Sequence, residues 1–570
     1  VSAPSRPGGI ALALLLLAAA VPAAPVATIA VSELRPGMTG YGLSVFAGGR
    51  IDTFRVELID VMRNVSPRGD MILCRCTGQG LEHSGIIAGM SGSPVYFDGR
   101  LAGAVAYGWG FSKDPIGGVT PIGEMLELLD LPGAAPGTRP PGTPAPAPGV
   151  SLPRLPLPLG IAGAPPGLVE LAGSLLAGSG LLPVAAGGAG GRGPAGGFLP
   201  GGAVGVVLAD GDVSLAAVGT VTWVDGDRLL AFGHPMFQAG AVALPMAGGD
   251  IHAVIPNYAS SFKLFSPGPV VGTIVQDRLP AVSGVVGPVP PMLPVRVSLT
   301  APALTREYRF RVADIAPLVP SIAALGIADV VYASEGTYEE ATLEARVRVT
   351  LAGAPAVAFR QVLTGRAPAD GFARTLADRL RLLIENRFRP VQVESIDVTL
   401  ALRPGLSRLT VTGVQPARTT VAPGDTLALW LALRDAAGNS STRRFAVAIP
   451  PTAPAGRLTL SLSSADSFLL RELYRSPGAA EPQTLAELIG LLERTGDEDV
   501  LVIAGYTGTP GLALGARELP VTPPTLRRVL DPGRRGGRLR PVSESRLILD
   551  RYRLDGVIAG THEITLEVTR

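Results

Sequence analysis

The chain has 570 residues, of which 17% are charged and 47% hydrophobic, and its formal net charge is +2. That length exceeds what one hydrophobic core supports and predicts three or four domains. The near-balanced charge leaves no single-sign field for nucleic acid or for a polybasic membrane contact. Gly (73) and Pro (54) are abundant, which suits many short strands joined by tight turns, together with a linker. Lysine occurs only at Lys113 and Lys263, so a mechanism with a lysine base has two candidates.

Arg6 precedes an apolar run, Ile10 to Val21, and the small residues Ala23, Ala24 and Ala27 follow. This is the pattern of a secretory signal peptide. Cleavage is expected after Ala27, with Ala24 as second choice; an uncleaved anchor is the alternative. The run is too short and Ala-rich for a confident membrane span. The expectation is an exported protein, periplasmic or extracellular, with no stable membrane span once the signal is removed.

Residues 31–132 alternate apolar and polar positions with Gly-containing turns and close on a short helix near Pro121–Leu129. Cys74 and Cys76 fall on one face of a strand there. They are too close to bridge without strain and too few for a metal site, so buried free thiols are expected. Residues 133–202 are Pro/Gly/Ala-rich, with one apolar segment around Leu168–Leu182, and read mostly as linker. Residues 203–300 return to strands, with hairpin signals at Asp210-Gly211 and Asp225-Gly226. Residues 301–404 read as an α+β domain with one helix capped by Asp370, whose apolar face carries Phe372, Leu376, Leu380, Leu383 and Ile384. Residues 405–570 read as an Ig-like β-sandwich region, interrupted by a helix with the capping box Thr484–Glu487.

Chemistry is concentrated at Gly89-Met-Ser-Gly-Ser-Pro94, between a strand-like run reaching Ile87 and a hairpin through Asp98-Gly99. A nucleophilic serine must stand out of a tight turn with backbone N–H groups aimed at the developing oxyanion. That geometry makes Ser91 the nucleophile and the Gly89 and Ser91 N–H groups the oxyanion hole. Ser93 is the rival serine, and the plain alternative is a Gly-Ser turn. Of the four histidines, His234 ends an apolar strand at Gly233 and can lean across a cleft between two barrels. His83 reads as an exposed turn residue, His252 as a second-layer group and His562 as structural. A lone histidine is more often a hydrogen-bonded structural residue.

The runs Gly85–Val95 and Gly99–Val105 resemble the serine segment of the SpoIVB peptidase family. Val218–Thr222 with Leu230–His234 resembles its histidine segment, and Gly272–Asp277 the piece that follows. The resemblance implies a trypsin-like double β-barrel and serine endopeptidase chemistry at Ser91 and His234. Three departures stand out. The serine segment precedes the histidine segment here, as in a circular permutation across 133–202. There is no recognisable peptide-binding PDZ module. The family's acid position falls on Cys76. Asp277 is then the candidate third residue, ahead of Asp225, Asp227 and Asp250. Ser260-Ser-Phe-Lys263 has the spacing of a serine–lysine motif, but its strand-like setting lacks the helix start and partner motifs that chemistry needs.

The resulting expectation is a mainly β protein. A permuted trypsin-like double β-barrel is followed by an α+β region and a C-terminal Ig-like β-sandwich. It acts as an exported serine endopeptidase on a protein or peptide substrate or on itself, with no metal or organic cofactor and no nucleic acid. The rival is a catalytically weak or inactive peptidase-fold scaffold whose C-terminal sandwich binds an envelope protein partner. The Ser91–His234 separation discriminates between them.

Overall fold

The computed structural model of the protein describes residues 26–66, 69–132, 154–193, 197–334, 340–476, 481–514, 517–529 and 539–569. The expected signal segment, except its last residues, lies outside them. So does the tract 133–153. No helix among the described residues is long and apolar enough to cross a membrane.

Six strands close a first barrel: β1 (Thr39–Ala47), β2 (Arg50–Ser66), β3 (Gly69–Thr77), β4 (Pro94–Phe97), β5 (Arg100–Gly108) and β6 (Ile116–Pro121). The ring order is β1-β2-β3-β6-β5-β4. Strand alternation supplies its interior: in β3, Ile72, Cys74 and Cys76 point inward and are fully buried, while Leu73, Arg75 and Thr77 are partly exposed. Both thiols are free, as expected. Between β3 and β4 the chain forms a single helical turn, α1 (Leu81–Ser84). The run up to Ile87 is therefore loop rather than strand; its apolar residues fill the barrel end. Asp98 and Gly99 both take positive φ, 51° and 71°, and make the expected tight β4–β5 hairpin. The helix α2 (Ile122–Leu126) follows β6.

The described part of the Pro/Gly/Ala tract is not linker. It forms β7 (Leu157–Ala162), helix α3 (Pro166–Leu175) and β8 (Leu181–Ala186). Composition hid this because the strands are short and Pro-containing; Leu157, Leu159, Ile161, Leu168 and Leu171 nevertheless enter the core.

A second ring comprises β9 (Ala203–Gly211), β10 (Leu215–Asp225), β11 (Arg228–Ala231), β12 (Gly240–Ile255), β13 (Phe262–Arg278) and β14 (Ala281–Val286). It closes because β10 pairs with both β11 and β9. The sheet continues outward from β9 through β16 (Leu304–Ala313), β15 (Met292–Ala301), β19 (Val393–Pro404), β17 (Ala341–Leu351) and β18 (Ala354–Gly365). Helices α4 (Val319–Ser334) and α5 (Pro368–Ile384) cover this extension. The region expected as a separate α+β domain thus shares one sheet and one hydrophobic core with the histidine-bearing ring. Asp370 lies inside the first turn of α5 and accepts from the Tyr332 hydroxyl at 2.6 Å; the helix starts earlier than expected, at Pro368, because proline tolerates the first helical position.

Beyond 405, a four-stranded and a five-stranded sheet share one core built on Leu429, Leu431, Leu460, Ile503 and Leu566. Thr484 caps the helix Leu485–Arg494 by accepting from the Glu487 N–H. Glu487 returns its bond to the Gln483 N–H rather than to Thr484. Arg360 of β18 holds the C-terminal region through both oxygens of Asp499 at 2.7 Å.

Candidate active site

The serine loop is docked onto the second ring. Gly89 (φ 98°) and Gly92 (φ 96°) make the left-handed turns that only glycine adopts without strain. β10 grips the loop carbonyls. The Thr220 N–H donates to the Ser91 carbonyl at 2.8 Å, Thr220 Oγ1 to the Gly89 carbonyl at 2.9 Å, and Thr222 Oγ1 to the Gly92 carbonyl at 2.8 Å. Within its own barrel the loop binds β5, with the Gly92 N–H donating to the Val105 carbonyl at 2.7 Å. Among the described residues nothing accepts from the Gly89 or Ser91 N–H. These two amides are the expected oxyanion donors.

The histidine arrives from the other side. β11 ends at Ala231, and Phe232 and Gly233 both take positive φ, 69° and 67°. For Phe232 this is a strained conformation costing about 1–3 kcal/mol, of the kind that concentrates at functional sites. The turn is tied back to the first barrel by Thr120 Oγ1, which donates to the Gly233 carbonyl at 2.6 Å. The result brings His234 Nε2 to 2.9 Å from Ser91 Oγ. On the far side of the ring, Nδ1 lies 2.8 Å from the Pro235 carbonyl. A carbonyl only accepts, so Nδ1 carries the hydrogen and Nε2 presents its lone pair to the serine hydroxyl. Burial holds the imidazole down at about 4, against the opposing pull of the Pro235 carbonyl; the Arg154 charge adds to the lowering. The imidazole is therefore neutral at ordinary pH.

Asp277 is near but differently engaged. Its carboxylate accepts from the N–H groups of Met236, Phe237 and Ala239 at 2.7, 2.8 and 3.2 Å. Burial pushes its carboxyl above the usual range, against those three donors. It braces the loop that follows His234, and the place a triad acid would take at Nδ1 belongs to the Pro235 carbonyl. Asp225 pairs with Arg228 on the surface, Asp227 sits in the β10–β11 turn, and Asp250 accepts from the Arg192 N–H. Cys76 is buried in β3 with its thiol pushed up to about 12, so it supplies no anion. His83 is exposed, His252 bonds Ser266 at 2.8 Å and His562 bonds the Val411 carbonyl at 3.0 Å; none joins the site.

Ser93 turns away from His234 and donates to Ser44 Oγ at 2.9 Å. Ser44 in turn accepts from Lys263 Nζ at 2.9 Å, and Lys263 also reaches Thr220 Oγ1 at 3.3 Å. Lys263 is fully buried beneath Gly89, and burial pulls its ammonium down to about 7. The serine–lysine spacing thus has another meaning: Lys263 partners Ser44 and Thr220, not Ser260, and it underlies the serine loop. Sequence reasoning missed Ser44 and gave Pro235 no role; it placed Thr220 and Thr222 in the family-like run Val218–Thr222 without assigning them contacts. Lys263 carried a signal as one of two lysines and a charge within an apolar strand.

Residues 21–126 match the family model of SpoIVB peptidase S55. That segment contains the first barrel and the Gly89–Pro94 loop, so the chain is similar to SpoIVB-type peptidases there; His234 and Asp277 lie outside it. Comparison with curated proteins and with solved structures gave no match.

Proposed function

We propose that the chain is an exported serine endopeptidase of the SpoIVB type, hydrolysing peptide bonds in a protein substrate or in itself. The observation that carries this reading is the 2.9 Å contact between Ser91 Oγ and His234 Nε2, side chains 143 residues apart that two separate rings bring together. In this reading Ser91 Oγ attacks the peptide carbonyl while His234 Nε2 takes its proton. The Gly89 and Ser91 N–H groups receive the oxyanion. His234 returns the proton to the leaving amine, and water then hydrolyses the Ser91 ester by the same base. The serine-first order is read as a circular permutation of two trypsin-like barrels. Residues 405–570 are read as an Ig-like sandwich with a surface for an envelope protein.

Two observations favour a second reading, a catalytically weak scaffold: among the described residues His234 has no carboxylate partner, and Ser91 is fully buried. A fluorophosphonate probe separates the two. The peptidase reading expects covalent labelling that Ser91→Ala or His234→Ala abolishes. Labelling that survives Ser91→Ala places the nucleophile elsewhere.

A further inference from the structure

We infer that Arg154–Pro156 lies in the peptide cleft of the Ser91–His234 site as an intramolecular strand, with Leu155 filling the pocket for the substrate side chain on the acyl side of the scissile bond. The inference rests on the peptidase reading and names its substrate class and a restraint on it.

The geometry begins at β5. One edge of this strand pairs with β4 only as far as Ala104, because β4 starts at Pro94. The next residue, Val105, binds the serine loop at Gly92 and Ser93. The edge beyond it, Ala106 and Tyr107, is where an extended peptide entering beside Ser91 would add as a further strand. The chain's own segment takes that edge. The Leu155 N–H donates to the Ala106 carbonyl at 3.0 Å, and Arg154 forms an antiparallel bridge with Tyr107. Leu155 is only 4% exposed and joins the cluster that holds Ile87, Met90 and Val105. The pocket exists because residue 108 is glycine: a β-carbon there would stand 2.6 Å from Leu155 Cδ2.

The same segment reaches the histidine side. Arg154 Nη2 lies 3.4 Å from Gln238 Oε1, in the loop that Asp277 braces. The chain then runs into β7, which pairs with β10, so the segment joins the two rings across the cleft. Ser91 and His234 are correspondingly 0% and 2% exposed. The Leu155 carbonyl takes neither the Gly89 nor the Ser91 N–H, and Pro156 follows with a ring nitrogen that carries no hydrogen. The strand occupies the side-chain pocket without presenting its carbonyl to the oxyanion donors. A substrate must displace it, and must bring a leucine-sized apolar side chain to the pocket.

The test uses the full chain carrying Ser91→Ala, so that binding is read without catalysis. The probe is a fluorescein-labelled peptide Ser-Leu-Pro-Arg-Leu, the sequence of residues 151–155. Adding Leu155→Gly should tighten its binding at least about tenfold, since a tethered competitor acts at roughly millimolar effective concentration. A peptide ending in Asp should not bind, and adding Gly108→Val should abolish binding of the leucine peptide. Leu155→Ala serves if the glycine variant does not fold. Equal binding with and without Leu155 overturns the inference. With Ser91 present, Leu155→Gly should also label at least about tenfold faster with the fluorophosphonate, as the open fraction rises. Tighter peptide binding without labelling of either protein would sink the peptidase reading and leave the cleft assignment standing. Equal labelling rates would sink the restraint and leave the peptidase reading standing.

Discussion

His234 donates its Nδ1–H to the carbonyl of Pro235, the next residue in the chain, at 2.8 Å. In a Ser-His-Asp site that hydrogen goes to a carboxylate, which fixes the tautomer and also stabilises the imidazolium. A neutral carbonyl does the first and little of the second. On the peptidase reading proposed above the pair is a dyad with a backbone orienter, and the imidazole's orientation depends on the 235–239 loop, which Asp277 holds through three amides.

Asp277→Asn should therefore act through the loop. An amide side chain offers one acceptor oxygen where the carboxylate offers two, leaving a buried N–H unpaired at a cost of about 1–3 kcal/mol. Thermal unfolding should shift downward. Fluorophosphonate labelling of the folded protein should fall by less than about tenfold, against the roughly 10⁴-fold loss in kcat when a triad aspartate is replaced. A loss near that larger figure without destabilisation would restore Asp277 to the triad.

The pH dependence of labelling carries a second expectation. Burial holds His234 at about 4 instead of its ordinary 6.5. The base therefore stays neutral, and labelling should stay flat, as pH falls through 6.5, with the acid limb near 4. An ordinary histidine would lose the rate about 2.5 pH units earlier. A limb centred near 6.5 would mean that the imidazole is solvated when the probe reacts.

Much of this site was legible in the sequence, for a physical reason. A nucleophile loop needs glycines at fixed offsets, and Gly89 and Gly92 mark it; a histidine at a strand end after Gly233 is equally local. The acid was not legible. Asp277 has the burial and the position of a triad acid, and only the direction of its hydrogen bonds distinguishes brace from partner. Strand alternation revealed the β-rich fold but not how far one sheet extends, because β15, β16 and β19 look alike whether they form a new domain or lengthen an old one. Composition concealed β7, α3 and β8, whose few leucines become core only when packed on β10 and α4.

Lys263 gives a stability prediction. Its ordinary value of 10.5 falls to about 7 in the fold, because burial disfavours the ammonium. Between those values the unfolded chain binds the proton and the folded chain does not. Stability must therefore rise with pH across that window, by up to about 1.4 kcal/mol per unit. Denaturant unfolding at pH 7 and pH 9.5 should show the rise, and Lys263→Met should remove it. An unchanged slope in the variant would assign it to other groups.

The docking of the serine loop rests on Gly92. Its φ of 96° disfavours any side chain. A β-carbon there would stand 1.9 Å from the Thr220 carbonyl oxygen and 2.4 Å from the Phe232 nitrogen. Both are backbone atoms of the second ring, so no side-chain rotation relieves the clash. Gly92→Ala must push the loop off β10, separating Ser91 from His234 even where each ring still folds. Circular dichroism should stay β-rich while fluorophosphonate labelling is lost. Gly123→Ala, in α2 with nothing within 4 Å of the added carbon, is the control. It should label like the parent and be neutral or more stable by up to about 1 kcal/mol, the helix preference for alanine over glycine. Undiminished labelling in Gly92→Ala would mean that the serine loop does not need the Thr220–Phe232 contact to meet its base, and the two-ring account of the site would fall with it.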